Sequence, residues 1–563
     1  MAVEMNNTIK AHGAVYTNPE IVELMLDLIG YIPKRSLAHN RLLDPSFGEG
    51  VFLEYALKRL IPSYLKKGDM DSIISDLKDS ICGIELNSVT YHVGIVRLQK
   101  VLEELSIPKH IAECLLDNWL INTDFLLWEN ECRFDFVIGN PPYVRQELIQ
   151  DDLLKKYRAV FSTIYDRADL YVPFFEKGLR LLSSEGILCY ISADRFTKNR
   201  YGKKLREFIS DNYKLKYIVD LHKTSPFDKE VSAYPGIYVI SANTEERWSV
   251  RATSINEVNK STCSQALKFL RYGDCSDASC PGIKTFSFNQ WFEGDSPWVI
   301  ESEEYRTILQ KIEEFKPLEN EAHGIKVGIG VASGADKIYI VDPKKIDIES
   351  EVLMPLVTTD DIREGLIKWT GRYIINPFRE DGSLIDLNQH PKLEYYFNLH
   401  KNKMLERNVA KKSNPAKWYK TIDRIYPSLQ FKQKLLIPDI KGINHIVKDN
   451  GKYYPHHNLY YLLPGNWDID VLRSVLMSSI VKFFIWSYSV KMRGDFLRYQ
   501  AQYLRKICLP EFNDLSEQQI ISLQKEGIIQ NQDELDQIVA EIFGLNHEEL
   551  ALIQGAVRGA EVN

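Results

Sequence analysis

The chain of 563 residues lacks any run of the roughly 18 uncharged apolar residues that a membrane-spanning helix needs. Its most apolar stretch, Val475 to Tyr488, is interrupted by Lys482 and flanked by Arg473 and Lys491, which predicts a buried helix. The opening residues, MAVEMNNTIKAHG, lack the apolar core of a secretory signal. A cytoplasmic protein with no membrane partner is expected. Cysteines are few and scattered, at 82, 114, 132, 189, 263, 275, 280 and 508. None forms a CxxC pair, so reduced thiols are expected, with neither a disulfide framework nor a bound metal. Basic charge is not in excess: 70 Lys+Arg stand against 77 Asp+Glu, a net charge of −7. At first sight that weighs against a nucleic-acid partner. What the chain does have is apolar surface to bury, with 44% hydrophobic residues including 9 Trp, 30 Tyr and 24 Phe. Its length predicts two to four domains at roughly 100–200 residues each.

From about residue 40 to 245, short apolar runs alternate with helix-length segments. The runs are 41–44, 80–85, 134–139, 186–192, 215–220 and 236–240, most of them rich in Ile, Val and Tyr. Helical segments such as Val51–Lys66 and Leu170–Leu182 lie between them. Short apolar runs of this kind suit strands buried on both faces. The prediction is an open α/β sheet, Rossmann-like, with helices on both faces, over residues 1–245. Beyond 245 the alternation stops, and a mixed α+β domain over 246–510 is expected. Residues 511–563 read as helices at 516–526, 533–543 and 547–557, with Ser516 and Asn546 as N-caps and Gly544 as a stop.

The segment Leu43-Asp44-Pro45-Ser46-Phe47-Gly48-Glu49-Gly50 has the order strand, small-residue turn, helix start. Such a turn lets backbone approach a ligand. It is not GxGxxG, and taken alone it also fits an ordinary βα loop. Glu85 ends the second predicted strand, where a carboxylate can hold ribose hydroxyls or stand solvated. Asp124 falls at the next strand end, in Ile121-Asn-Thr-Asp-Phe125. Acids at three successive strand ends point to an adenosine-containing ligand at the carboxyl edge of the sheet.

Another strand runs directly into Asn140-Pro141-Pro142-Tyr143. The prolines fix φ and have no N–H to donate, so their carbonyls are acceptors in a rigid frame. Asn140 adds a side-chain carbonyl. Two acceptors side by side can take both hydrogens of an amino group, and Tyr143 can stack on the ring that bears it. This suits attack by an exocyclic amine on a methyl donor.

The order of these pieces resembles the gamma-type, TaqI-like DNA adenine-N6 methyltransferases of restriction-modification systems. The resemblance is close over about 12–245 and looser beyond. It implies that Tyr16 and Thr17 cap the methionine end of S-adenosylmethionine (SAM). It also implies that Asp44, Pro45, Ser46, Phe47 and Gly48 line the methionine, that Glu85 holds the ribose, and that Asp124 with Phe125 flank the adenine. Asn140, Pro141 and Tyr143 would bind the target adenine, with Pro142 close to the cofactor. Phe227, in Ser225-Pro-Phe-Asp-Lys-Glu-Val-Ser-Ala, would face Tyr143 across the extruded base or pack under its own loop. Asp169 and Tyr171 stand where the family has similar residues, as helix cap or substrate contact.

Residues 401–434 carry ten Lys/Arg and two Asp/Glu, interleaved with Trp418, Tyr419, Tyr426 and Phe431. Residues 491–506 carry five and one. These patches are expected to meet phosphates, with Lys411, Lys412, Lys417, Trp418, Arg493 and Arg498 as DNA-binding residues, although a charged solvated face has the same composition. Residues 511–563 hold eleven Asp/Glu and two Lys/Arg, a net −9, so the overall −7 leaves +2 for residues 1–510. The global charge averages an acidic tail with a basic surface. Double-stranded DNA is the expected partner and a monomer the expected state. No nuclease signature is evident, so any cognate restriction endonuclease is expected to act independently. Methylation of RNA, of protein glutamine or of cytosine N4, or a subunit role in a larger defence complex, are the competing readings.

Overall fold

The six apolar runs of the first half join one sheet, which has nine strands. Its strands are β1 (Leu42–Asp44), β2 (Ile81–Glu85), β3 (Leu120–Asn122), β4 (Phe134–Gly139), β5 (Leu182–Ala193), β6 (Lys214–Asp220), β7 (Pro235–Ser241), β8 (Val250–Ile255) and β9 (Ile283–Phe288). The computed structural model describes residues 17–34, 36–222, 224, 226, 235–243, 249–273, 282–288, 291–300, 302–363, 365–411, 417–439, 445–489, 499–525 and 527–562. Strand order is β3-β2-β1-β4-β5-β7-β6-β8-β9. Strands β3, β2, β1, β4 and β5 are parallel, and β7 runs antiparallel to both β5 and β6.

Period-two alternation explains the two layers of helices. Leu42, Ile138, Ile191 and Val239 belong to one core, with the helices Pro19–Ile29 and Val51–Tyr64. Their neighbours Leu43, Val137, Tyr190 and Tyr238 belong to a second core, with the helix Tyr171–Arg180. Successive side chains of a strand point to opposite faces, so strands apolar at both parities need cover on both. The chain leaves β1 outward to β2 and β3, then returns to β4 on the other side of β1. That reversal opens a crevice at the carboxyl ends of β1 and β4, the usual ligand position in such sheets.

The chain divides into two compact units, residues 1–303 and 304–563. The boundary expected at 245 is therefore displaced. Strands β8 and β9 continue the first sheet, β8 pairing parallel with β6 and β9 antiparallel with β8. Their polar composition, Val-Arg-Ala-Thr-Ser-Ile in β8, hid them among loop-like residues.

The second unit holds two four-stranded sheets. One is ordered Lys326–Ile329, Leu459–Leu463, Gln433–Pro438, Val447–Asn450, and the other Ile340–Val341, Tyr373–Ile375, Leu353–Val357, Tyr454–Pro455. The apolar stretch at 475–488 is not one helix. It is shared between Ile469–Met477 and Ser479–Tyr488, broken at Ser478, whose hydroxyl caps the second by accepting from the Val481 N–H. The acidic tail forms helices Glu517–Gln524, Gln532–Ile542 and His547–Val562 within this unit. Ser474 Oγ donates to the Leu523 carbonyl at 2.7 Å, and Asp536 Oδ1 accepts from the Ser479 N–H at 2.7 Å. The tail is thus bonded into the unit, and its acids are spent partly on capping. No helix among the described residues is long and apolar enough to cross a membrane.

Candidate active site

The crevice is built from the ends of β1, β2 and β4. Asp44 closes β1 and is fully buried. Its Oδ1 accepts from the Ser46 N–H at 3.2 Å, while Oδ2 is buried with no protein partner. Burial holds this carboxyl well above the usual range, against the Ser46 bond and with some help from the charge of Glu85. Gly139, at the end of β4, leaves the room: a Cβ there would sit 2.8 Å from Asp44 Oδ1.

Glu85, at the end of β2, braces the glycine turn from below. Its Oε2 accepts from the Gly48 N–H at 3.1 Å and its Oε1 from the Asn87 N–H at 2.7 Å. Burial raises this carboxyl, opposed by those backbone bonds. Gly48 has φ +56°, in the left-handed region where a side chain is strained. The Phe47 ring is buried and tilted against Tyr91 at 5.8 Å, while its N–H donates to the Ile84 carbonyl. Phe47 anchors the turn from the core side.

Asn140 follows β4 directly. Its backbone carbonyl accepts from Ser46 Oγ at 3.3 Å, and its Nδ2 donates to Thr17 Oγ1 at 3.3 Å. Its Oδ1 is buried with no protein partner. Thr17 is itself buried, and the adjoining Asn18 caps the helix Pro19–Ile29 by accepting from the Glu20 N–H. The Asn18 N–H donates to the Pro226 carbonyl at 3.0 Å. One edge therefore gathers Thr17, Asp44–Gly48, Glu85, Asn140 and Pro226, segments spread over more than 200 residues of sequence. Pro141 is buried and Pro142 half-buried. The Tyr143 hydroxyl donates to the Ile191 carbonyl at 3.3 Å, and burial pushes its phenol well up, so it stays neutral.

Asp124 lies two residues past β3. Its Oδ1 accepts from the Leu126 N–H at 2.9 Å and its Oδ2 from the Tyr157 hydroxyl at 2.7 Å. Tyr157 was not legible as a site residue. It is the one buried residue of the helix Asp151–Val160. The Phe125 side chain belongs to the core, tilted on Phe174 at 5.1 Å with the Lys177 ammonium 5.1 Å from its ring. It does not line an open face. Tyr16 and Phe227 lie outside the described residues.

In the second unit, Lys411 and Lys417 are exposed. Trp418 is not: it is 9% exposed, edge-on to Phe397 and Tyr419, with the Lys401 ammonium 5.1 Å from its ring. Its expected place on a DNA-binding face is corrected by its packing in a core of Ile, Leu and Phe side chains. Lys412, Arg493 and Arg498 lie outside the described residues. A cavity of about 580 Å³ in this unit is lined by Lys337, His400, Lys403, Arg407 and His457, among others. On its wall Asp336 Oδ2 is 3.2 Å from His456 Nε2.

Two family models match. Residues 79–227 match the Eco57I restriction-modification methylase, and residues 354–509 the TaqI-like C-terminal specificity domain. Type II methyltransferase M.BstVI of Geobacillus stearothermophilus is 55% identical, over 97% of this chain and 99% of that protein. Type II methyltransferase M.PaeR7I of Pseudomonas aeruginosa is 40% identical, over 98% and 95%. In fold, the chain is similar to the type IIL restriction-modification enzyme MmeI solved in complex with DNA. There the TM-score is 0.61 at 12% identity, covering 97% of this chain and 77% of that one. On the strength of near-full-length identity to these relatives, with a methylase match in the first unit and a specificity-domain match in the second, the chain belongs to the type II methyltransferases.

Proposed function

We propose that the chain transfers the methyl group of SAM to N6 of an adenine in double-stranded DNA, at a specific site. An adenine inside a duplex cannot reach a buried crevice, so the base is extruded. Unstacking costs a few kcal/mol, offset by stacking on an aromatic ring at about 1–3 kcal/mol. Tyr143 supplies one such ring, and Phe227 is assigned the opposite face. Asp44 and the turn to Gly48 hold the methionine end of SAM with Thr17. Glu85 holds the ribose, and Asp124, fixed by Tyr157, faces the adenine moiety.

The observation that carries this reading is the orphan Asn140 Oδ1. A buried acceptor without a donor costs about 1–3 kcal/mol, and a substrate amino group removes that cost on binding. Asn140 Oδ1 and the Pro141 carbonyl then accept both amino hydrogens. The nitrogen lone pair turns out of the ring system toward the methyl carbon. SAM would supply that electrophilic methyl, its carbon–sulfur bond breaking with the electron pair kept by sulfur while one amino proton is lost from the nitrogen, and the chain's own contribution is positioning. The second unit meets DNA through cations including Lys411 and Lys417. The protein works as a cytoplasmic monomer, and a cognate endonuclease acts as a separate protein.

The test is transfer of label from tritiated-methyl SAM to duplex DNA, RNA and protein, followed by digestion. Label in N6-methyladenine is expected; label only in RNA, protein or cytosine refutes the reading. Asn140→Ala should lower turnover at least about a hundredfold, as loss of an aimed polar group does. SAM affinity should persist. Near-normal turnover rejects the role of Asn140.

A further inference from the structure

Asp169, Tyr171 and Tyr201 stand beside the Asn-Pro-Pro-Tyr turn, and the roles above use none of them. The Leu170 N–H donates to the Val144 carbonyl at 2.8 Å, which ties this segment to the residue after Tyr143. Tyr171 is fully buried, with its ring 6.3 Å from that of Tyr143 and 84° to it. The Tyr171 and Tyr201 hydroxyl oxygens are 2.8 Å apart, and the Tyr201 hydroxyl donates to Asp169 Oδ2 at 3.3 Å. The proton of Tyr201 is thereby committed, so Tyr171 is the donor in the tyrosine pair. The relay has one direction, Tyr171 to Tyr201 to Asp169, because an ionised carboxylate only accepts. Asp169 does not spend its side chain on the helix Tyr171–Arg180. The N-cap there is Leu170, with no side-chain cap bond. Burial raises the Asp169 carboxyl, while Arg195, the Tyr201 bond and Arg145 favour its ionised form.

We propose that Asp169 is a positioning residue for Tyr143: by terminating the relay it fixes the Tyr171 ring, whose edge-on contact sets the plane on which the extruded base stacks. This rests on the reading of Tyr143 as the stacking ring. A residue that acts only through Tyr143 loses its effect when Tyr143 is gone, which a double-mutant cycle detects.

The experiment measures single-turnover methylation by the full chain. Its substrate is a duplex carrying the site read from the methylated DNA of an expressing host. Asp169→Ala and Tyr201→Phe are each made alone and with Tyr143→Ala. Each should slow transfer about tenfold with Tyr143 present and less than about twofold without it, as misplacement of a substrate-holding group does. Asp169→Asn, which keeps an acceptor, should recover most of the rate. SAM affinity and the unfolding temperature serve as the folding controls. With 2-aminopurine at the target position, Asp169→Ala should change the fluorescence of the bound complex and Asp169→Asn should not. Equal losses in both backgrounds, or no loss with Tyr143 present, overturn the proposal while leaving the stacking role intact. An unimpaired Tyr143→Ala enzyme overturns both. Tyr201→Phe, which keeps the ring volume, carries the test if Asp169→Ala does not fold.

Discussion

Replacing Gly139 with alanine probes the point where β1 and β4 share one space. The added Cβ would lie 2.8 Å from Asp44 Oδ1 and 3.4 Å from Pro45 Cδ. Asp44 is fully buried and its Oδ1 holds the Ser46 N–H at 3.2 Å. To relieve the contact, the carboxylate must retreat by about 0.5 Å or more, to ordinary carbon–oxygen separation. That retreat pulls the Asp44–Gly48 turn off its bonds. Overpacking of a close-fitted site costs about 1–3 kcal/mol, or roughly 2–5 °C in unfolding temperature for a unit of this size. Loss of a charged hydrogen bond to the ligand, about 1.5–3 kcal/mol, converts to a SAM Kd about 10- to 150-fold weaker. Thermal melts with and without SAM, together with titration calorimetry, read both quantities. A variant with wild-type Kd and a melting temperature unchanged within about 1 °C would refute the claim that Asp44 is held against Gly139 to serve the cofactor.

Asp44→Asn should weaken SAM binding more than about tenfold yet stabilise the ligand-free protein at neutral pH. Burial raises this carboxyl well above its ordinary 3.8, so the folded state keeps the proton to higher pH than the unfolded chain does. Stability therefore falls as pH rises from near 4 through the raised value, and the full penalty stands above it. Melts from pH 4 to 8 should show the variant's advantage growing with pH, and a constant difference contradicts the assignment. Lys434→Ala should destabilise the second unit by about 3 kcal/mol. The lysine and Asp449 form an ion pair at 2.7 Å with both side chains buried, and the variant leaves the acid unpaired. A loss under about 1 kcal/mol in urea unfolding would reject that. Lys411→Ala with Lys417→Ala should weaken DNA binding and reduce the salt slope by about 2. SAM affinity should be unchanged, and an unaltered slope would remove both residues from the DNA interface.

Much of the first unit was legible because its sheet-interior strands carry largely apolar runs, and six of them were placed from sequence. Strands β8 and β9 were missed because they lie toward the sheet edge, where polar residues such as Arg251 and Lys284 are tolerated, so no apolar run marks them. The buried stretch at 475–488 was recognised, but its break at Ser478 was not. A serine whose side chain turns back to cap leaves no mark in hydropathy. In the site, the acids and the Asn-Pro-Pro-Tyr turn were visible as residue types at strand ends. Trp418 was misplaced because a basic, aromatic composition does not say which of its side chains face inward.

The sequence by itself determined the alternation of strands and helices, the acids at strand ends, the rigid turn after β4 and the separation of basic from acidic charge. These are local properties, set by side-chain period, by the fixed φ of proline and by composition. Only the tertiary structure decided which distant segments meet. It placed Thr17 against Asn140, Tyr157 on Asp124, Glu85 beneath Gly48 and Gly139 beside Asp44. At the crevice it also left the acceptors Asp44 Oδ2 and Asn140 Oδ1 buried without protein donors. That last property cannot be read from a sequence, because whether a polar atom is satisfied depends on every neighbour the fold brings to it.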